Sequence, residues 1–143
     1  MSTLRRVLCP IDFSDSAEAA LAYASVLAKQ LGAELHVLHT WQLSAYASPA
    51  NDLAKETERG IENDVDASIA RCVKNGVPVH KHIRLGPAPD TIVGAVRDLG
   101  IDHIVMGTNG KTGLQRLIVG SVAEEVVRRA DVPVTTVRAK TKG

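Results

Sequence analysis

Aromatic residues are scarce: Phe13, Tyr23, Trp41 and Tyr46 are the four in 143 residues. They are too few for a platform on which bases could stack. An excess of one charge is missing as well, because 17 Lys and Arg face 16 Asp and Glu for a net +1. That argues against a nucleic-acid binder held by phosphate neutralisation. No stretch approaches ~18 consecutive apolar residues, the length that marks a membrane-spanning helix. Cysteine is limited to Cys9 and Cys72, far apart and without a C-x-x-C pair, so reduced thiols are expected rather than a disulfide framework. The opening Met1-Ser2-Thr3-Leu4-Arg5-Arg6 lacks the apolar segment of a secretory signal. Together these features predict a cytoplasmic protein with neither nucleic-acid nor membrane partners.

What remains is a chain that is 45% hydrophobic, enough to fold as a single domain over 1–143. Apolar runs and helical patterns alternate along it. Strands are expected at 4–10, 33–40, 77–85, 101–106 and 132–137, and helices at 15–31, 51–75, 90–99 and 120–130. In the first helix Ala17, Ala20, Leu21, Ala24, Leu27, Ala28 and Leu31 repeat at helical spacing. Ser14 or Asp15 can cap that helix, and Gly32 stops it. The stretch Gly86-Pro87-Ala88-Pro89 reads as a turn, residues 41–50 as a polar connection and 139–143 as a frayed tail. Strands joined through helices run parallel and are covered on both faces. The fold class is therefore α/β: a three-layer, doubly wound, five-stranded parallel sheet of Rossmann-like type. The preferred strand order is 3-2-1-4-5. That order reverses between the first and fourth strands, and ligands bind outside the carboxyl ends of strands at such a reversal.

Two unusual segments meet there, Cys9-Pro10-Ile11-Asp12 and the stretch from Gly107 onward. The latter carries glycines at 107, 110, 113 and 120 and leads into a helix at Gly120-Ser121. A glycine loop feeding a helix N-terminus offers backbone N–H donors and the positive end of the helix dipole. Lys111 and Arg116 would add positive charge, and the Ser121 hydroxyl could donate to a phosphate oxygen. The local chemistry also admits a second reading, in which Ser121-Val122-Ala123-Glu124 is a capping box that binds nothing. Likewise Asp12 has two readings, as a ligand contact or as a brace for the turn into the first helix. Gly110-Lys111-Thr112 imitates the end of a Walker A loop, but the first glycine of that motif would fall on Val105. The first turn, Pro10-Ile11-Asp12-Phe13-Ser14, holds no glycine, which argues against a dinucleotide.

The spacing Gly107-x2-Gly110-x9-Gly120-Ser121 resembles the G-2x-G-9x-G-(S/T) signature of the ATP-binding branch of the universal stress protein family. The opening Val7-Leu8-Cys9-Pro10-Ile11-Asp12-Phe13-Ser14, the strand ending Leu38-His39-Thr40 and the run Val132-Pro133-Val134 are similar to that family's first, second and last strands. The resemblance implies an adenine nucleotide α-hydrolase-like fold with ATP as the bound ligand, accompanied by Mg2+ or Mn2+. It implies that Asp12 contacts the adenosine part and helps hold the cation. Pro10 and Ile11 would line the adenine, and Thr40 would offer main-chain groups to its edge. Met106 and Gly107 would lie along the ribose and phosphates. Gly110, Gly120, Ser121 and Val122 would hold the phosphate chain, with Lys111 beside them. It also implies a homodimer through the last strand, residues 132–137.

The expected function is a nucleotide-dependent sensor or regulator in the stress response. The alternatives are a slow ATP hydrolase or self-phosphorylating protein, and a dimeric scaffold without nucleotide. No catalytic residue is assigned, because no general base accompanies the glycine loop. His80 and His82 share one strand face but lack a visible third ligand. His36, His39 and His103 read as isolated strand residues, and Cys9 as a small buried apolar one.

Overall fold

The computed structural model describes residues 4–42, 52–108 and 120–139. The elements follow the order β1 (Arg6–Pro10), α1 (Asp15–Leu31), β2 (Glu34–Trp41), α2 (Asp52–Cys72), β3 (Val79–Leu85), α3 (Ala88–Leu99), β4 (His103–Gly107), α4 (Ser121–Arg129) and β5 (Val134–Val137). All strands pair in parallel, in the order β3-β2-β1-β4-β5. The expected architecture and strand order are therefore both present. The chain winds outward from β1 through β2 to β3, then crosses back to β4 on the other side of β1. Right-handed crossovers require the helices to change face at that return. Accordingly, α1 and α2 pack in one apolar cluster and α3 and α4 in a second.

Successive strand residues serve opposite layers, as a two-residue period demands. Val7, Cys9, Leu35, Val37 and Val105 belong to the α1/α2 cluster, and Leu8, Leu38, Ile104 and Met106 to the α3/α4 cluster. Burial on both faces explains why the strands read as nearly continuous apolar runs. Cys9 lies inside this core, and burial pushes its thiol far above the ordinary range. It behaves as a small hydrophobe.

Local chemistry sets most element ends. Ser14 caps α1, its hydroxyl accepting from the Ala17 amide at 3.1 Å. Gly32 and Gly100 end α1 and α3 in the left-handed conformation, at φ 65° and 64° that glycine adopts without steric cost. Leu31, expected inward, is exposed at the end of α1. The start of α3 is corrected: the helix begins at Ala88 with Pro87 as its cap, not after a turn running to Pro89. Proline at the start of a helix loses no bond, since first-turn amides have no intrahelical acceptor. Helix α2 stops at Cys72, and Asn75 then ties the exit down. Its amide donates to the Ser25 carbonyl at 2.9 Å, and its side-chain oxygen accepts from the Val77 amide at 3.2 Å.

The end of β4 lies against the first turn of α1. A Cβ added at Gly107 would stand 2.5 Å from Ser16 Oγ and 2.8 Å from the Ala17 amide nitrogen. Glycine here is thus a packing requirement in addition to anything a ligand asks of it. Gly107→Ala should cost about 1–3 kcal/mol, as overpacking does, measured by urea unfolding. Leu8→Ala, at a fully buried central-strand position, should cost about 2–5 kcal/mol in the same assay.

Candidate functional site

Strand β1 ends at Pro10, paired with Leu38 of β2. The chain then leaves the sheet while still tied to it. The Ile11 amide donates to the Leu38 carbonyl at 2.8 Å, and His39 Nδ1 donates to the Ile11 carbonyl at 2.7 Å. This bond assigns the His39 ring proton to Nδ1. Asp12 follows, exposed, and its Oδ1 accepts the Ser14 amide at 3.0 Å. Between them Phe13 adopts φ 66°, with its ring against His39 at a centroid distance of 4.6 Å. A bulky residue in that region costs about 1–3 kcal/mol. Packing against His39 and the α1/α2 cluster holds it there. The turn is consequently rigid, and its outermost charged group is the Asp12 carboxylate. Asp12 does brace this turn, as one reading of the sequence held, and its Oδ2 remains available to a ligand.

On the other side of the reversal, β4 pairs with β1 through Val7↔His103 and Leu8↔Ile104. Met106 and Gly107 therefore lie level with the end of β1. Met106 is buried toward the α3/α4 layer, which places its side chain in the core and leaves its main chain at the strand end. The stems of the glycine loop are fastened at this point. The Thr108 amide donates to the Val137 carbonyl at 3.0 Å, and the Gly120 amide donates to the Thr108 carbonyl. Gly110 and Lys111, with Arg116, lie outside the described residues.

Gly120 is the cap residue of α4, with no side-chain cap bond, and Ser121 is the first helical residue. The capping-box reading is thereby corrected. Ser121 sits one position too far along to cap the helix, and the first intrahelical bond runs from the Glu124 amide to the Gly120 carbonyl at 3.0 Å. The amides of Ser121, Val122 and Ala123 have no acceptor within the helix. The Ser121 side chain is exposed at the mouth, while Val122 and Ala123 anchor the turn in the core. The acidic first-turn residue Glu124 is offset by Arg128, 3.9 Å away. Thr40 closes the arrangement on the β2 side, half-buried and paired with Arg84 of β3.

Thus Pro10, Ile11, Asp12, Thr40, Met106, Gly107, Gly120, Ser121 and Val122 all come to the carboxyl end of the sheet. That end of the sheet thus holds the uncapped N-terminus of α4 after β4 and, after the neighbouring strand β1, a turn that presents the Asp12 carboxylate. This is equipment for a ligand with an anionic tail and a hydroxyl-bearing or cation-bearing body.

At the opposite end of the sheet the structure assembles a group that the sequence reading scattered. His36 is not isolated. Its Nδ1 lies 2.9 Å from His82 Nε2 and its Nε2 lies 3.1 Å from Glu34 Oε1. His80 stacks on it at 4.6 Å. Hydrogen bonding from His36 holds the Glu34 carboxyl below its ordinary range, and burial beside His36 pushes His82 down. The missing signal was strand register: His36↔His80 and Leu38↔His82 are pairs across β2 and β3. Burial also lowers His103, whose Nε2 lies 2.7 Å from the Thr135 hydroxyl.

Comparison with known proteins agrees with the fold. The Universal stress protein family model matches residues 3–138. Universal stress protein MJ0531 of Methanocaldococcus jannaschii is 30% identical over 96% of this chain and 84% of its own. The structure of protein MJ0577 from the same organism superposes with a TM-score of 0.82 at 27% identity, covering 99% of this chain and 100% of that one. A universal stress protein from Archaeoglobus fulgidus, solved in complex with dAMP, superposes with a TM-score of 0.71 at 24% identity, over 96% of this chain and 99% of that one. With a family match that spans nearly the whole chain, a shared fold and the Pro10-Ile11-Asp12 turn and Gly120-Ser121 helix start in place, this protein belongs to the universal stress protein family.

Proposed function

We propose that the carboxyl end of the sheet between β1 and β4 binds an adenine nucleotide. ATP with Mg2+ or Mn2+ is the ligand, and the protein acts as a nucleotide-dependent sensor or regulator in the cytoplasmic stress response. One observation carries this reading: the amide-rich start of α4, without a side-chain cap, is tied to the end of β4 through Gly120 and Thr108, and the exposed Asp12 follows the end of the neighbouring strand β1. The dAMP bound by the Archaeoglobus fulgidus protein supports the ligand class.

In this reading the phosphate chain lies on the amides of Ser121 and Val122 and on the backbone of Gly110 and Gly120, with Lys111 adding charge. The Ser121 hydroxyl donates to a phosphate oxygen. Asp12 Oδ2 takes a ribose hydroxyl or the nucleotide-bound cation. Pro10 and Ile11 border the adenine, the main chain of Thr40 meets its edge, and Met106 and Gly107 run along the ribose. Occupancy would couple the strand end to the stems at Thr108 and Gly120 and so reshape the surface offered to partners. The edge position of β5 leaves its outer side for a second copy, and unprotected edges favour such pairing.

Protein purified without added nucleotide and then denatured should release an adenine nucleotide. Millimolar ATP at about 100-fold its Kd should raise the melting temperature of stripped protein by roughly 5–11 °C. Gly110→Val should abolish that shift with the unliganded melting temperature unchanged, while Ser121→Ala should weaken binding only several-fold, because backbone amides carry most of the contact. Absence of any nucleotide-dependent shift would leave the scaffold reading. ATP turnover should stay below about one per second, the lower edge of ordinary kinase rates. A faster rate in a phosphate-release assay would make the protein an enzyme.

A further inference from the structure

The group at the amino end of β2 and β3 has the composition and spacing of a transition-metal site. Glu34 and His36 stand two residues apart on β2, hence on one face, and His80 pairs with His36 across the ladder. One donor atom from each of Glu34, His36 and His80 lies within 4.8 Å of the other two. His36 Nε2 lies 3.1 Å from Glu34 Oε1 and His80 Nε2 lies 3.9 Å from Glu34 Oε2. Donors around a tetrahedral zinc ion with bonds of ~2.0–2.1 Å stand about 3.3 Å apart. Rotation of the exposed His80 side chain, which tilts its ring out of the stack on His36, with an adjustment of Glu34, brings the set to bonding geometry.

We propose that Glu34, His36 and His80 bind a divalent ion of borderline softness, Zn2+ foremost, with His82 as a positioning residue. Two imidazoles and one carboxylate suit zinc, nickel or copper and not the oxygen-seeking Mg2+. Three protein donors leave the fourth position of a tetrahedral ion to water. The ring proton of His36 is accounted for. Metal on Nε2 requires the proton on Nδ1, and His82 Nε2, at 2.9 Å, is placed to accept it. Such an outer hydrogen bond orients a ligating ring and selects its tautomer. His36 is itself 6% exposed, so one ligand is fixed by the core while His80 and Glu34 stand at the rim and can close on the ion. Arg6, whose Nε lies 3.4 Å from Glu34 Oε1 and whose Nη1 donates to the Leu99 carbonyl at 3.1 Å, must yield the carboxylate when the ion enters.

This site does not depend on the nucleotide reading. Thr40 is at the carboxyl end of β2 and Glu34 at its start, so the two ends can be tested separately. Untagged, nucleotide-free full-length protein is titrated with Co2+ and then competed with Zn2+ in millimolar Mg2+. One equivalent should give the intense visible absorption of four-coordinate cobalt and be displaced by Zn2+. The exposed-side variants His80→Ala and Glu34→Gln should retain the wild-type melting temperature and weaken Co2+ binding by more than about 100-fold, beyond the loss expected for an outer partner. His82→Ala should weaken it by about 10- to 100-fold and keep the tetrahedral spectrum. Wild-type protein without the cobalt spectrum, or folded His80→Ala and Glu34→Gln variants that bind as wild type does, would overturn the assignment.

Discussion

The fold turns on a close approach at the centre of the sheet, where β4 ends against the start of α1. Gly107 has no side chain because Ser16 and the Ala17 amide occupy the space a Cβ would need. That contact brings the strand carrying the glycine loop onto the helix that follows the Asp12 turn. It joins the two halves of a doubly wound sheet at the place where the winding reverses. Ser14 completes the junction by capping α1 while its own amide is held by Asp12. One short stretch thus terminates a strand, starts a helix and presents a carboxylate. The strain at Phe13 is part of the same junction, supported by the His39 ring on one side and the core on the other.

Much of this was legible before any coordinates. Alternating apolar runs and helical periods implied parallel strands with covered faces. The stop signals Gly32 and Gly100 marked helix ends because a left-handed residue there releases the chain from the helix. The place of the candidate site was inferred from strand order, since ligands bind where the order reverses, and the structure has that order. The errors share a physical origin in motifs that tolerate a shift. Pro87 and Pro89 read as a turn, yet proline fits the first turn of a helix as well as the space before it. Ser121 and Glu124 have capping-box spacing, but the extended backbone at Gly120 sets the helix start one residue earlier than that motif needs. The conformation of Phe13 left no trace in the sequence, because a positive φ in an aromatic residue is imposed by its surroundings and not by its type.

The histidines show a different limit. A residue's neighbours within a strand can be read from spacing, but those on the next strand depend on register. His80 and His82 were visibly on one face, whereas their meeting with His36 and Glu34 required the pairing of β2 with β3. Burial likewise separates the roles of similar residues. Cys9 and His36 are both enclosed, but Cys9 sits among apolar side chains and His36 is bonded through both ring nitrogens. Only the second offers chemistry without first breaking the core.

The β2–β3 ladder holds seven consecutive pairs, from Leu35↔Val79 to Trp41↔Leu85. A slip by one step would invert every side chain on the displaced strand. His80 and His82 would turn to the α2 layer, while Lys81 would leave its partners Glu62 and Asp66 and enter the imidazole stack. The molecule's alignment is therefore enforced twice, by the apolar core on one face and by a cation that cannot replace a histidine on the other.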